Sequence, residues 1–206
     1  MGNRDGNYRL RYASKTNSFN RPLSGAVELD ESVFGGKDSN KHKSKRTKSA
    51  MGTAGKTIVF GMLERGGEIR AKVIKAVKAR TVRGAVFDNT VLLTDEHVSY
   101  KSLDNGPYQR FSVNHSAGEY GRGPVHINGI EGVWSLFKRQ VYGIHHHISA
   151  KHPDTCLGEM CYRYSRRALE ECERVDDLLS QVEGRLTHKA LIDGESKADL
   201  RKTPQA

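Results

Sequence analysis

Three acidic residues that are far apart in the chain each lie at the edge of an apolar segment. Asp30 lies within Val-Glu-Leu-Asp-Glu-Ser (27–32), and Asp95 closes the run Thr-Val-Leu-Leu-Thr-Asp (90–95). Glu131 opens a segment whose apolar residues recur at helical spacing. Isolated acids are usually solvated surface residues, but an acid that ends an apolar run has no packing reason to be there. We therefore expect a fold in which two strands and one helix converge on these carboxylates.

The apolar pattern predicts a mixed α/β domain with a five-stranded sheet flanked by helices. Gly66-Gly67 is a hairpin-turn signal, so we expect the first three strands to form an antiparallel meander. Residues 75–88 carry a weaker, interrupted helical signal, and a short helix is expected around 96–103. The predicted strands cover residues 26–34, 56–63, 68–74, 91–95 and 109–113.

The later part of the chain predicts helices. The apolar spacing favours a helix over 128–140 and a second one that begins at Pro153 and continues through Leu169. The polar lead-in and the charged end show neither helical nor alternating periodicity. The expected division is a disordered or remnant N-terminal segment at 1–24, one domain at 25–192 and a flexible tail at 193–206.

The charge balance favours a polyanionic partner. Lys and Arg number 34 against 24 Asp and Glu, for a net charge of +10, and such an excess is typical of nucleic-acid-binding proteins. The densest like charge falls in the loop over 35–55, which either grips backbone phosphates or is simply solvated. Its candidate DNA-binding residues are Lys41, Lys43, Lys45, Arg46 and Lys48.

Composition also argues against several classes of protein. Cys156, Cys161 and Cys172 form no Cys-x-x-Cys pair, so neither a disulfide framework nor a zinc ribbon is indicated. No stretch approaches the roughly 18 apolar residues of a membrane-spanning helix, and the start has no apolar core of a signal peptide. We expect a cytoplasmic, nucleoid-associated protein without a membrane partner.

The carboxylates fit a two-metal phosphodiester-cutting site, because a magnesium pair needs hard oxygen ligands. Side chains alternate along a strand, so Glu28 shares a face with Asp30, and Asp30 is the preferred ligand because it lies nearer the strand end. On the helix, Lys138 lies two turns after Glu131, and Asn128 lies near the same side. A carboxylate, an amide and a cation are thus expected along one cleft.

Four ordered motifs then resemble a known family. They are Val-Glu-Leu-Asp-Glu-Ser-Val-Phe-Gly-Gly-Lys (27–37), Leu-Thr-Asp-Glu-His-Val-Ser-Tyr (93–100), Val-Asn-His-Ser-Ala-Gly-Glu-Tyr (113–120) and His-Ile-Asn-Gly-Ile-Glu-Gly-Val-Trp-Ser-Leu-Phe-Lys-Arg (126–139). The chain resembles the DDE transposases of bacterial insertion sequences, and closely the branch with an ISXO2-like catalytic domain. Full-length members of that branch carry an N-terminal zinc ribbon, which is absent here, so the chain is interpreted as a truncated copy or a catalytic fragment.

The resemblance implies a ribonuclease H-like fold that cleaves DNA and transfers strands at transposon ends with Mg²⁺ or Mn²⁺. Carried over residue by residue, it assigns metal binding to Asp30, Asp95 and Glu131, and contact with a DNA phosphate to Lys138, beside Arg139. Asn128 occupies the position of the asparagine that replaces the third acid in parts of this branch, so the third ligand is either residue. The implied partner is double-stranded DNA, bound by a homodimer or a higher multimer.

Two other functions stay open from the sequence. The first is a remnant that binds DNA without magnesium-dependent cleavage, which salt-sensitive binding alone would indicate. The second is a nuclease that uses His115, His126 and Asn128 around one metal ion. An Asp30→Asn variant separates these possibilities, because only the histidine nuclease would keep its activity.

Overall fold

The centre of the fold is a mixed five-stranded sheet with the strand order β3-β2-β1-β4-β5. It is seen in a computed structural model that describes residues 14, 21–35, 42, 56–75, 79–145 and 153–180. The strands are β1 (Ala26–Phe34), β2 (Thr57–Glu64), β3 (Ile69–Ile74), β4 (Val91–Thr94) and β5 (Gln109–Ser112). The predicted five strands and mixed sheet are confirmed, and the architecture is ribonuclease H-like.

The sheet combines the predicted antiparallel meander with two parallel pairings. β1 pairs antiparallel with β2, and β2 with β3, whereas β4 lies parallel to β1 and β5 parallel to β4. The meander forms because the Gly66 turn, at φ 73°, lets the chain reverse directly between β2 and β3. Parallel strands present their carboxyl ends at the same sheet edge, so β1 and β4 run toward a common edge.

Helices cover the two faces of the sheet. They are α1 (Ala79–Val82), α2 (Asn128–Gln140), α3 (Pro153–Ser165) and α4 (Glu171–Ser180), with shorter helical turns at Val98–Leu103, His115–Ala117 and Val141–His145. Within the part of the chain that the structure describes, no helix is long and apolar enough to cross a membrane.

Alternation along β1 divides the core into two layers. Phe34 packs against α2 and α3 together with Val59, Trp134 and Leu157. Val27 and Leu29, whose side chains point to the other face of β1, belong to a second cluster. This cluster also contains Phe60, Tyr100 and Leu103. Each buried side chain of this size stabilises the fold by about 1.5–3 kcal/mol.

Three details of the predicted elements are corrected by the structure. The helical signal over 75–88 yields only the single turn Ala79–Val82 among its described residues, and Gly84, at φ 80°, lies two residues after this turn. The helix from Pro153 ends at Ser165 rather than continuing through Leu169, and the chain turns over residues 166–168, where Arg166 pairs with Glu68 and Asp177. A separate helix then begins at Glu171.

Candidate active site

The parallel pairing of β1 with β4 places Asp30 beside Asp95. The paired positions are Ala26 with Val91, Val27 with Leu92 and Glu28 with Leu93. Two further steps along each strand bring Asp30 level with Asp95, on the face that α2 covers. Each carboxylate is close enough to the other for the charge of Asp95 to raise the pKa of Asp30.

The sequence suggested that Asp30 lies near the end of its strand, and this expectation is wrong. β1 continues to Phe34, paired on one side with β2. The pairing with β4, however, ends at Glu28 and Leu93, so Asp30 lies just beyond the point where the two strands separate. This opening at the sheet edge is where ligands bind in open α/β sheets.

The carboxylate of Asp30 is held by the only tryptophan of the chain. Trp134 Nε1 donates a hydrogen bond to Oδ2 of Asp30 at 3.0 Å. The pKa of Asp30 is raised from 3.8 to about 7, above all by burial and also by the carboxylates of Glu31 and Asp95, while the Trp134 hydrogen bond lowers it. A partly buried acid with a raised pKa is typical of functional sites.

Gly61 makes the position of Trp134 possible. It pairs with Asp30 across β1 and β2, and a Cβ atom added at this glycine would lie 2.5 Å from Cζ2 of Trp134. Such an overlap would push the indole off the sheet. The absence of a side chain at Gly61 therefore lets α2 approach closely enough for Trp134 to reach Asp30.

Glu28 shares the face of Asp30 but anchors the helix instead of facing an open site. Its side chain is 1% exposed and accepts hydrogen bonds from Ile130 N and Arg65 Nε, both at 2.8 Å. A Cβ atom at Gly129 would lie 2.8 Å from the Glu28 carboxylate, so the glycine admits this acid to the positive end of α2. Both carboxylate oxygens are engaged, which favours Asp30 as the metal ligand on this face.

Arg65 extends this anchor to the segment that leads into α2. Besides Glu28, it donates to the carbonyl oxygens of Pro124 and His126, at 2.7 and 2.8 Å. Its Nη2 also lies 3.0 Å from Nδ1 of His126. The start of α2 is thereby tied to the β2–β3 turn, and His126 is drawn into this network.

The third acid, Glu131, lies in the first turn of α2 and is 46% exposed. Its Oε1 is 3.9 Å from Nδ1 of His115. Asn128 is exposed at the first position of the helix, and Lys138, two turns after Glu131, is partly buried. The three side chains predicted along one side of the helix are therefore accessible from the same surface.

Glu31 shows how alternation separates the acids of β1. Its neighbour Asp30 faces α2, whereas Glu31 faces the opposite layer and accepts a hydrogen bond from Tyr100 Oη at 2.7 Å. Burial raises the pKa of both Glu31 and Tyr100. Glu31 thus links β1 to Tyr100 on the opposite face of the sheet and adds negative charge near Asp30.

The donor chemistry fits a hard divalent cation. Within the described residues, no three His, Cys, Asp or Glu side chains are close enough to form a complete metal site. Asp30 and Asp95 nevertheless bring two carboxylates together where their repulsion would be relieved by a cation. Magnesium commonly takes one or two protein carboxylates and completes its shell with water and substrate phosphates, so a neighbouring pair of carboxylates is chemically suited to this ion.

Several candidate DNA-binding residues fall outside the part of the chain that is described. These are Lys41, Lys43, Lys45, Arg46 and Lys48. Lys138 and Arg139 are described, and both lie in the last turn of α2. Arg139 is exposed, so this end of the helix presents positive charge to solvent.

Comparison with known protein families identifies the family of the domain that carries this site. Residues 22–165 match the family model of the ISXO2-like transposase domain. The chain belongs to this family. The match spans β1 to the end of α3 and so includes both aspartates and the helix with Glu131. A search of curated proteins finds no match.

The contacts that organise this transposase domain have weaker signals in the sequence than its acids do. Nothing in the local sequence pattern pairs Trp134 with Asp30, although the two side chains are hydrogen-bonded. Arg65 follows β2 as an ordinary turn residue, and its contact with Glu28 spans the hairpin. The signal available in the sequence was Gly129, a glycine inside a predicted helix, which indicates a close approach of another group.

Proposed function

We propose that this transposase domain cleaves DNA and transfers strands with divalent metal ions held by Asp30, Asp95 and Glu131. The observation that carries the proposal is the juxtaposition of Asp30 and Asp95 at the point where β1 and β4 separate. When bound, the metal ions would activate an attacking oxygen and stabilise a leaving oxygen at the same phosphorus.

The protein residues have distinct parts in this reaction. Asp30 would hold metal through its carboxylate, which Trp134 orients by donating a hydrogen bond to Oδ2. Glu131 or Asn128 supplies the third protein ligand from the start of α2. Lys138 binds a backbone phosphate as a point charge, with Arg139 beside it. The positive charges of Lys138 and Arg139 would orient the DNA along α2, the helix that carries the third ligand.

The histidine site is the weaker alternative. His126 directs Nδ1 toward Arg65, at 3.0 Å, and lies 3.8 Å from the Glu28 carboxylate. Nδ1 of His126 is thereby taken up by Arg65, so only Nε2 of this ring is left as a possible metal ligand. His115, by contrast, faces Glu131. These contacts favour the carboxylate site over a single metal ion held by His115, His126 and Asn128.

The chemistry is tested by incubating the protein with supercoiled plasmid DNA and Mg²⁺ or Mn²⁺. We expect Asp30→Asn and Asp95→Asn to abolish nicking while DNA binding, measured by gel mobility shift, stays within about twofold of the wild type. Asp88→Asn is the matched control, because Asp88 is an exposed turn residue that precedes β4, at the opposite end of that strand from Asp95. Nicking by Asp30→Asn would contradict the proposal, and DNA binding without metal-dependent nicking by the wild type would favour a binding remnant.

The assembly and location follow from the same proposal. Transposition joins two DNA ends, so we propose a homodimer or a higher multimer on DNA in the cytoplasm. Sedimentation of the protein with and without DNA tests this. A monomer in both conditions at active concentrations would contradict it.

A further inference from the structure

Glu96, which follows Asp95, ties the end of β4 to the loop after β5. One carboxylate oxygen accepts hydrogen bonds from Ser116 N at 3.0 Å and Ser116 Oγ at 2.6 Å. The other accepts from His115 N at 3.1 Å. Three donors on one partly exposed carboxylate are more than a solvated surface acid needs, so Glu96 fixes this loop to the end of β4.

The turn that Glu96 holds carries His115 to the edge of α2. His115 Nδ1 lies 3.9 Å from Glu131 Oε1, and the ring of Tyr120 lies 5.3 Å from the imidazole. Among the described residues, Nε2 of His115 is buried without a hydrogen-bond partner. The imidazole is therefore enclosed on these sides, and Nδ1 is the ring nitrogen that faces a charged group.

These contacts form a continuous bridge from one acid of the site to another. Asp95 is covalently next to Glu96, Glu96 holds the His115 turn through three hydrogen bonds, and His115 borders Glu131. Glu131 is otherwise on an exposed helical surface, where a long side chain has many rotamers. The bridge restricts the space open to its carboxylate.

We propose that Glu96 is a positioning residue that, through His115, directs the Glu131 carboxylate toward Asp95 for metal binding. The inference rests on the proposed function, because it assigns Glu131 as a ligand. Residues that orient metal ligands without touching the metal commonly change metal affinity by about 10–100-fold when they are replaced. Glu96 has the contacts for that role and is not itself required to touch the metal or DNA.

The test measures Mn²⁺ binding to the whole chain by electron paramagnetic resonance of the free ion, without DNA or turnover. We expect Glu96→Gln to raise the dissociation constant for Mn²⁺ by about tenfold, because the amide cannot accept all three hydrogen bonds. Glu159→Gln, which removes the same charge from an α3 residue paired with Arg163, should stay within about twofold of the wild type. Circular dichroism reports whether each variant is folded.

A double variant distinguishes positioning from a general structural effect. If Glu96 acts through Glu131, Glu96→Gln should weaken Mn²⁺ binding no further in a chain that already carries Glu131→Gln. Independent, multiplying losses would overturn the inference, as would unchanged affinity in Glu96→Gln alone. If Glu96→Gln does not fold, Ser116→Ala removes one donor and should weaken Mn²⁺ binding less, and unchanged binding there would likewise overturn the inference.

The failure of the inference is distinguishable from failure of the proposed function. Asp30→Asn should weaken Mn²⁺ binding whatever Glu96 does. If Asp30→Asn weakens it and Glu96→Gln does not, the positioning role alone is wrong. If neither Asp30→Asn nor Glu131→Gln changes Mn²⁺ binding, the carboxylate site itself is wrong.

Discussion

Replacing Asp30 by asparagine is expected to stabilise the metal-free domain at high pH, although it removes a proposed metal ligand. Burial, first of all, raises the pKa of Asp30 to about 7 from 3.8. The folded state therefore holds this proton more tightly than the unfolded chain does. The stabilisation that protonated Asp30 provides is complete below about pH 4 and is lost as the pH rises through about 7.

The size of this effect follows from the pKa difference. A shift of about three units corresponds to about 4 kcal/mol, which is an upper bound on the stability lost by the wild type between acid and alkaline pH. Solvent access at the open sheet edge reduces it, so we expect about 1–3 kcal/mol. Asparagine keeps an oxygen for the Trp134 hydrogen bond and carries no charge, so the variant should lack this contribution.

Urea unfolding followed by the fluorescence of Trp134 measures the effect directly, because the chain has one tryptophan. The comparison is the difference in unfolding free energy between wild type and Asp30→Asn, at about pH 4 and about pH 8 in the absence of divalent cations. We expect Asp30→Asn to gain stability relative to the wild type at the higher pH. Parallel pH profiles for the two proteins would refute the reasoning, and Asp88→Asn should follow the wild type.

Three further substitutions test the contacts that support the site. Gly61→Ala should lower the unfolding free energy by about 1–3 kcal/mol in chemical denaturation, because the added methyl group overlaps Trp134, and an unchanged midpoint would contradict this. Glu28→Ala should lower it by about 3 kcal/mol, since Arg65 loses its buried partner, and a loss below about 1 kcal/mol would mean that the anchor is unimportant. Lys138→Met should weaken DNA binding and reduce its salt dependence by about one phosphate contact while Mn²⁺ binding is unchanged; an unaltered salt slope would argue against a phosphate contact.

The strands and α2 were predictable because their signals are local. β2 is a run of apolar residues followed by Gly66-Gly67, and it pairs with β3 across that turn as expected. In α2, the buried residues Ile130, Val133, Trp134 and Phe137 recur at the spacing of one helical face. Both patterns depend on neighbours within a few residues, so the sequence alone reveals them.

The support of the site was not predictable because its contacts join distant parts of the chain. The alternation of side chains along β1 made Glu28 an alternative metal ligand to Asp30. The structure shows instead that Glu28 accepts a hydrogen bond from Ile130 N and so anchors α2. The contacts of Glu96 have no local signal either, because its hydrogen-bond donors, His115 and Ser116, lie after β5. The opposite error occurs over 75–88, where the helical pattern is longer than the element, because among the described residues of this range only Ala79–Val82 is α-helical.

The most direct measurement of the central claim is the position of Mn²⁺ in crystals of the protein with a DNA duplex, read from anomalous scattering. We predict a peak between the carboxylates of Asp30 and Asp95, with metal-to-oxygen distances near the roughly 2.0–2.2 Å typical of small divalent cations. The peak should be absent in Asp30→Asn crystals. A peak beside His115 and His126 instead, with the two aspartates free of metal, would contradict the carboxylate site.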